Sequence, residues 1–163
     1  MLNKNDSIMK WNGKFRKTSV EIISLVYVMV FAFTGLTKLM EGDQFFNNLN
    51  NSPILPDVVW LSYIISWAVP TLEIVIALLI AIPRTRLKGL YAALGLMIVF
   101  TMYVAGIVFI SPYAPCSCGG IITLLTWQEH LLFSIGMIVL ALLAIRFHRG
   151  GLNRNALIGK SQV

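Results

Sequence analysis

Four stretches of this chain are apolar over about 20 residues each, the length a helix needs to cross a hydrocarbon core about 30 Å thick. They span residues 18–40, 58–82, 88–110 and 127–147. Lipid cannot hydrogen-bond to backbone N–H and C=O groups, so segments of this kind are restricted to helices. The expected fold is therefore all-α: a polytopic membrane protein built as a four-transmembrane-helix bundle. On this division residues 1–17 form a basic N-terminal segment, 18–147 one membrane domain and 148–163 a basic tail. With 57% hydrophobic and only 12% charged residues, the chain is too apolar for an ordinary soluble domain. The first stretch is too long for a signal-peptide core and lacks a small-residue cleavage site, so it is expected to remain as an anchor.

The formal charge of +6 does not point to nucleic acid, because the cations sit in short clusters flanking apolar runs. Twelve of the thirteen Lys and Arg residues precede the first span, join the second to the third, or follow the fourth; Lys38 is the exception. The positive-inside rule then puts both termini in the cytoplasm. The opposite face, periplasmic or extracellular, carries the only two cysteines, and there disulfides form and persist.

Within the spans, polar residues fall on stripes. Tyr27, Phe31, Thr34 and Lys38 recur at helical spacing, and Gly35 allows a neighbour to approach closely. Ser62, Ser66, Pro70 and Glu73 form a second stripe, expected to face the bundle interior, with a kink at Pro70. Glu73 is the one carboxyl well inside a span, either protonated and bonded to a neighbouring helix or serving a proton or ligand. Counting from Val58 puts it about 22 Å from the outer end of its span, whereas Lys38 lies within about a turn of the end of its own, so the count argues against a direct pair. Lys38 can instead snorkel to water or, with Glu73, line a cofactor cavity. On the third span Ala92, Gly95, Val99, Met102 and Gly106 suggest a small-residue packing face.

Short polar segments carry further signals. Thr18 to Glu21 and Thr126 to Glu129 both fit capping boxes. Phe45, Phe46 and Leu49 fall on one side of a short surface helix that Asp43 could cap.

The segment Pro115-Cys116-Ser117-Cys118-Gly119-Gly120 carries the chemistry. It lies in a connection of about sixteen residues, a length that usually marks function or disorder. Cysteines two apart can reach the bridging distance, but their ring is small and strained, which favours a labile, oxidising disulfide suited to exchange. A helix entered at Gly119-Gly120 would put Cys118 before its N-terminus, where the thiolate is favoured. His130, the nearest histidine, reads either as an interfacial polar residue or as the base for the cysteine proton, and Glu129 either as a cap or as its helper.

Phe33-Thr34-Gly35-Leu36-Thr37-Lys38-Leu39, Ser52-Pro53, Pro70-Thr71-Leu72-Glu73 and Cys116-Ser117-Cys118-Gly119-Gly120, taken in order with the spacing of the spans, resemble the MauE and DoxX-like family of bacterial membrane proteins. The resemblance covers nearly the whole chain and implies a redox-associated inner-membrane protein working with thioredoxin-like periplasmic partners. MauE itself is linked to maturation of a disulfide-rich subunit of methylamine dehydrogenase; nothing in this chain identifies that substrate. The shape is also similar to DsbB and the vitamin K epoxide reductases, but one cysteine pair cannot run their internal relay, so any quinone would meet Cys116 or Cys118 directly.

The chain thus reads as a thiol–disulfide oxidoreductase or redox accessory. Cys118 is the nucleophile, Cys116 resolves the mixed disulfide, and His130 and Glu129 move the proton. A quinone in a cavity near Glu73 and Lys38 is the candidate cofactor. Two alternatives stay open: a protein holding Cu(I) on the two thiolates, and a non-catalytic subunit of a membrane complex.

Overall fold

A computed structural model of the chain describes residues 4–52, 58–110 and 127–160. These form five helices, α1 (Lys4–Met40), α2 (Gly42–Asn50), α3 (Val59–Ala81), α4 (Arg86–Ile110) and α5 (Trp127–Lys160), and no strand. Four of them are long and apolar enough to cross a membrane: α1 from Lys14, α3, α4 to Ile107, and α5 over Glu129–Gly150. The long helices form a ring in which α1 and α4 each pack on both α3 and α5, while the short α2 lies mainly on α3.

Only 28–33% of the residues in each apolar window are buried. Leu25, Met29, Leu36, Leu78, Val99 and Leu132 are among the many exposed apolar side chains, a surface far larger than a soluble monomer carries. Lipid covers such a surface as well as a neighbouring helix does, so apolar burial does not drive these helices together. Close backbone approach and internal polar contacts must do so. At Gly35, an added Cβ would lie 3.0 Å from Ile74 Cγ1, 3.1 Å from the Pro70 carbonyl oxygen and 3.2 Å from Glu73 Cβ. At Gly89, just after the tight α3–α4 turn, it would come within 2.7–3.0 Å of Ile80 and Leu79. Tyr27, wholly buried, donates its hydroxyl to the Met137 carbonyl at 2.5 Å and ties α1 to α5.

Two of the expected faces form. Tyr27, Phe31, Thr34 and Lys38 of α1 are buried, as are Ser62, Ser66, Pro70 and Glu73 of α3. The face expected on α4 does not. Val99 and Met102 are 60% and 71% exposed, and an added Cβ at Gly95 would meet nothing within 4 Å. The inward residues are instead Leu90, Ala93, Met97, Val104 and Ile107. Both faces of α4 are apolar, so hydrophobicity does not distinguish them, and small residues serve a lipid-facing surface equally well.

The first capping box is also absent. α1 runs through Thr18, whose hydroxyl donates to the Lys14 carbonyl at 3.1 Å, a bond a threonine makes inside a helix. Thr126 lies outside the described residues. The expected short helix exists as α2, but its N-cap is Glu41, without a side-chain cap bond, and Asp43 sits in the first turn.

Candidate functional site

The buried charged groups of the spans lie together, toward the end where α1 and α4 finish and α3 and α5 begin. Lys38 Nζ stands 2.5 Å from Glu73 Oε1, forming the one ion pair among the described residues. The side chains are 11% and 2% exposed, so the pair is buried, contrary to what the depth count implies. The count takes the helices to end level, and they are staggered. Gly35 abuts Pro70 to Ile74; from there α1 continues only five residues to Met40, whereas α3 extends eleven residues back to Val59. Lys38 therefore faces the middle of α3. Exposed Trp60, Tyr63 and Trp67 on the projecting turns suit the headgroup region.

Other elements close around the ammonium. The Phe100 ring of α4 lies 5.0 Å from Lys38 Nζ and the Phe45 ring of α2 lies 5.7 Å away, both within cation–π range. Thr34 brings its hydroxyl near the carboxyl, but its hydrogen bond goes to the Phe31 carbonyl at 3.4 Å. Glu73 Oε2 is buried and has no hydrogen-bond partner among the described residues. From α5, half-buried His130 lies close enough for the Lys38 charge to act on it, and its Nδ1 is buried with no partner among the described residues.

This is an expensive arrangement to maintain. Withdrawing an ion from water costs several kcal/mol even after relaxation, and attraction between the partners offsets it only with good geometry and further polar contacts. The 2.5 Å contact and two aromatic rings supply part of that compensation.

α2 covers the group. Phe46 packs edge-on to Tyr63 at 6.4 Å, Leu49 is buried, and Ser52 just beyond accepts a 2.9 Å hydrogen bond from the Tyr103 hydroxyl of α4. A cleft of about 280 Å³ opens beside Lys38 between α1, α2 and α3, lined by Asp43, Phe46, Tyr63, Ser66 and Trp67 among others. A larger concavity of about 550 Å³ follows the outer face of α3 from Tyr63 to Val75. It contains no charged group and belongs to the lipid-facing surface.

Of the residues singled out in the sequence, Lys38 and Glu73 meet, and His130 joins them from α5. Glu129 is exposed in the first turn of α5. Cys116 and Cys118 lie outside the described residues, in the connection 111–126 from Ile110 to Trp127. Both attachment points are at the same end of the bundle as Lys38. Phe100 was not among the residues the sequence pointed to. The available signal was the run Ala93, Met97, Phe100, Val104 and Ile107, stepping by four, three, four and three along α4, which the small-residue pattern on the other face obscures.

The family described as methylamine utilisation protein MauE matches residues 16–147. No curated protein and no solved structure matches the chain.

Proposed function

The chain belongs to the MauE family of membrane proteins, and from that premise we propose that it exchanges disulfides with a thioredoxin-like partner through Cys116 and Cys118. The observation that supports this most is the convergence of the buried Lys38–Glu73 pair and His130 at the end of the bundle to which the Cys-Ser-Cys connection is attached. A membrane bundle that holds ionisable groups in its interior does so at a cost in stability, and such groups are by default functional.

The exchange balances as follows. Cys118 loses its proton, with His130 as acceptor, and its thiolate attacks a partner disulfide. A mixed disulfide forms and one partner thiolate leaves, taking up a proton. Cys116, deprotonated in turn, attacks Cys118 Sγ, closing the Cys116–Cys118 disulfide and expelling the second partner thiolate. Two electrons pass to the partner; the same steps in reverse oxidise it. Glu129, exposed at the head of α5, is positioned to exchange protons with water.

The cleft beside Lys38 also fits a quinone ring, since it combines one ammonium donor with Phe46, Tyr63 and Trp67. In the reverse direction, where the partner is oxidised and the pair is left as the dithiol, a bound quinone would supply the two-electron acceptor that restores the disulfide.

Trapping tests the exchange. Cys116→Ser removes the resolving thiol, so a mixed disulfide through Cys118 should accumulate and release the partner only on reduction. Absence of an adduct from both Cys116→Ser and Cys118→Ser, with normal function of the double variant, would instead identify a non-catalytic subunit. Stoichiometric copper lost in Cys118→Ser would identify a metal carrier.

A further inference from the structure

At the opposite, basic end of the bundle, two cations differ from the rest: half-buried Arg86, whose Nε donates to the Ile80 carbonyl of the neighbouring α3 end at 3.3 Å, and Arg16. Lys14, Lys17, Arg84, Lys88 and Arg146 are exposed, as expected for residues that only set orientation. Arg16 is half-buried and drawn across α5. Its Nη2 donates to the Phe147 carbonyl at 3.3 Å, its guanidinium carbon lies 5.8 Å from the Phe147 ring centre, and its Nε is buried with no partner among the described residues. A Cβ on Gly150 would fall 1.9 Å from Nη2, so the guanidinium occupies space that only glycine leaves open.

One residue before that glycine, Arg149 reaches the other way and donates to the Tyr91 hydroxyl of α4 at 3.3 Å. His148, the residue before Arg149, has a buried Nδ1 with no partner among the described residues. Two guanidinium groups thus border the turn of α5 from Phe147 to Gly150, Arg16 from α1 and Arg149 toward α4, and neither has a carboxylate among the described residues, where the one ion pair is Lys38–Glu73. A partly buried charge needs a counter-ion. Planar guanidinium forks match phosphate oxygens.

We propose that this end of the bundle, where α1, α4 and α5 meet, binds the phosphate of an anionic phospholipid headgroup between Arg16 and Arg149. Basic recesses between transmembrane helices recognise such headgroups. Exposed Ile22 on α1 and Leu142 and Leu143 on α5 offer the acyl chains an apolar path. The site is independent of the cysteine chemistry at the other end.

The test uses the full chain in nanodiscs of phosphatidylcholine, with and without phosphatidylglycerol, reading the thermal midpoint and the lipid retained in native mass spectrometry. Phosphatidylglycerol should raise the midpoint by roughly 2 to 4 °C. The double variant Arg16→Gln, Arg149→Gln should abolish the rise, whereas Lys17→Gln, Arg84→Gln, which removes the same charge nearby, should retain it. Equal loss in both variants would reduce the effect to diffuse charge and overturn the site. Inorganic phosphate added to phosphatidylcholine discs should give no shift; a shift equal to that of the lipid would overturn the headgroup assignment. If the first double variant fails to fold, Arg149→Gln alone decides, because its side chain is exposed: retained phosphatidylglycerol should fall several-fold, and unchanged retention would refute the proposal.

Discussion

Lys38 is held by a carboxylate from α3 and by rings from α2 and α4, with His130 of α5 within reach of its charge. Removing either member of the ion pair leaves the other buried and uncompensated. Lys38→Met and Glu73→Leu should therefore each destabilise the bundle by about 3–5 kcal/mol, read as loss of unfolding free energy in detergent. The double variant has no buried charge and should recover most of that loss. If the pair serves only stability, the double variant will be as active as the wild type; if the pair serves the exchange, the double variant will fold and be inactive, which is the expected outcome. A smaller effect belongs to Tyr27. Tyr27→Phe removes the bond to the Met137 carbonyl and should cost about 0.5–1.5 kcal/mol, measured the same way, without altering cysteine reactivity. The two partners of the ion pair were recognisable from the sequence because ionisable residues in apolar spans stand out. Their contact was not, because it depends on where α1 stops relative to α3, and nothing in the spacing of apolar residues records that stagger.

Two glycines set the seams between elements apart from the surfaces that face lipid. Gly35 lies against the α3 backbone at Pro70, while Gly95 faces open space. Gly35→Val should destabilise the bundle by roughly 1–3 kcal/mol through overpacking and should separate Lys38 from Glu73. Gly95→Ala should be neutral or gain up to about 1 kcal/mol from helix propensity. Thermal unfolding of the two variants side by side checks both values, and a severe effect at Gly95 would mean that α4 packs on something through that face. The inward faces of α1 and α3 were legible because lipid cannot satisfy Ser62, Ser66, Thr34 or Lys38, which restricts those residues to the interior. α4 offers no such contrast: Met97 points in and Met102 out, and composition cannot tell them apart. α2 was legible as a short helix from Phe45, Phe46 and Leu49, but its role as a cover over Lys38 required the α1–α3 stagger to be known.

For the whole molecule, the bundle is divided into two unlike ends. One carries almost all the cations, with Arg16 and Arg149 gathered around one turn of α5; the other carries the buried ion pair, the covering helix and the attachment points of the cysteine connection. Four-span architecture followed from the length of the apolar runs, a constraint that the bilayer thickness imposes whatever the detailed packing. The long polar lead-in of α1 was not legible, since residues 4–17 have no apolar periodicity to mark a helix. On the function proposed, Cys116 and Cys118 switch between dithiol and disulfide on the face opposite the basic end. Labelling intact cells with a membrane-impermeant maleimide, after an impermeant reductant or oxidant, decides this. Two labels per chain after reduction and none after oxidation are predicted; labelling that ignores the redox treatment, or appears only once the membrane is broken, would contradict it.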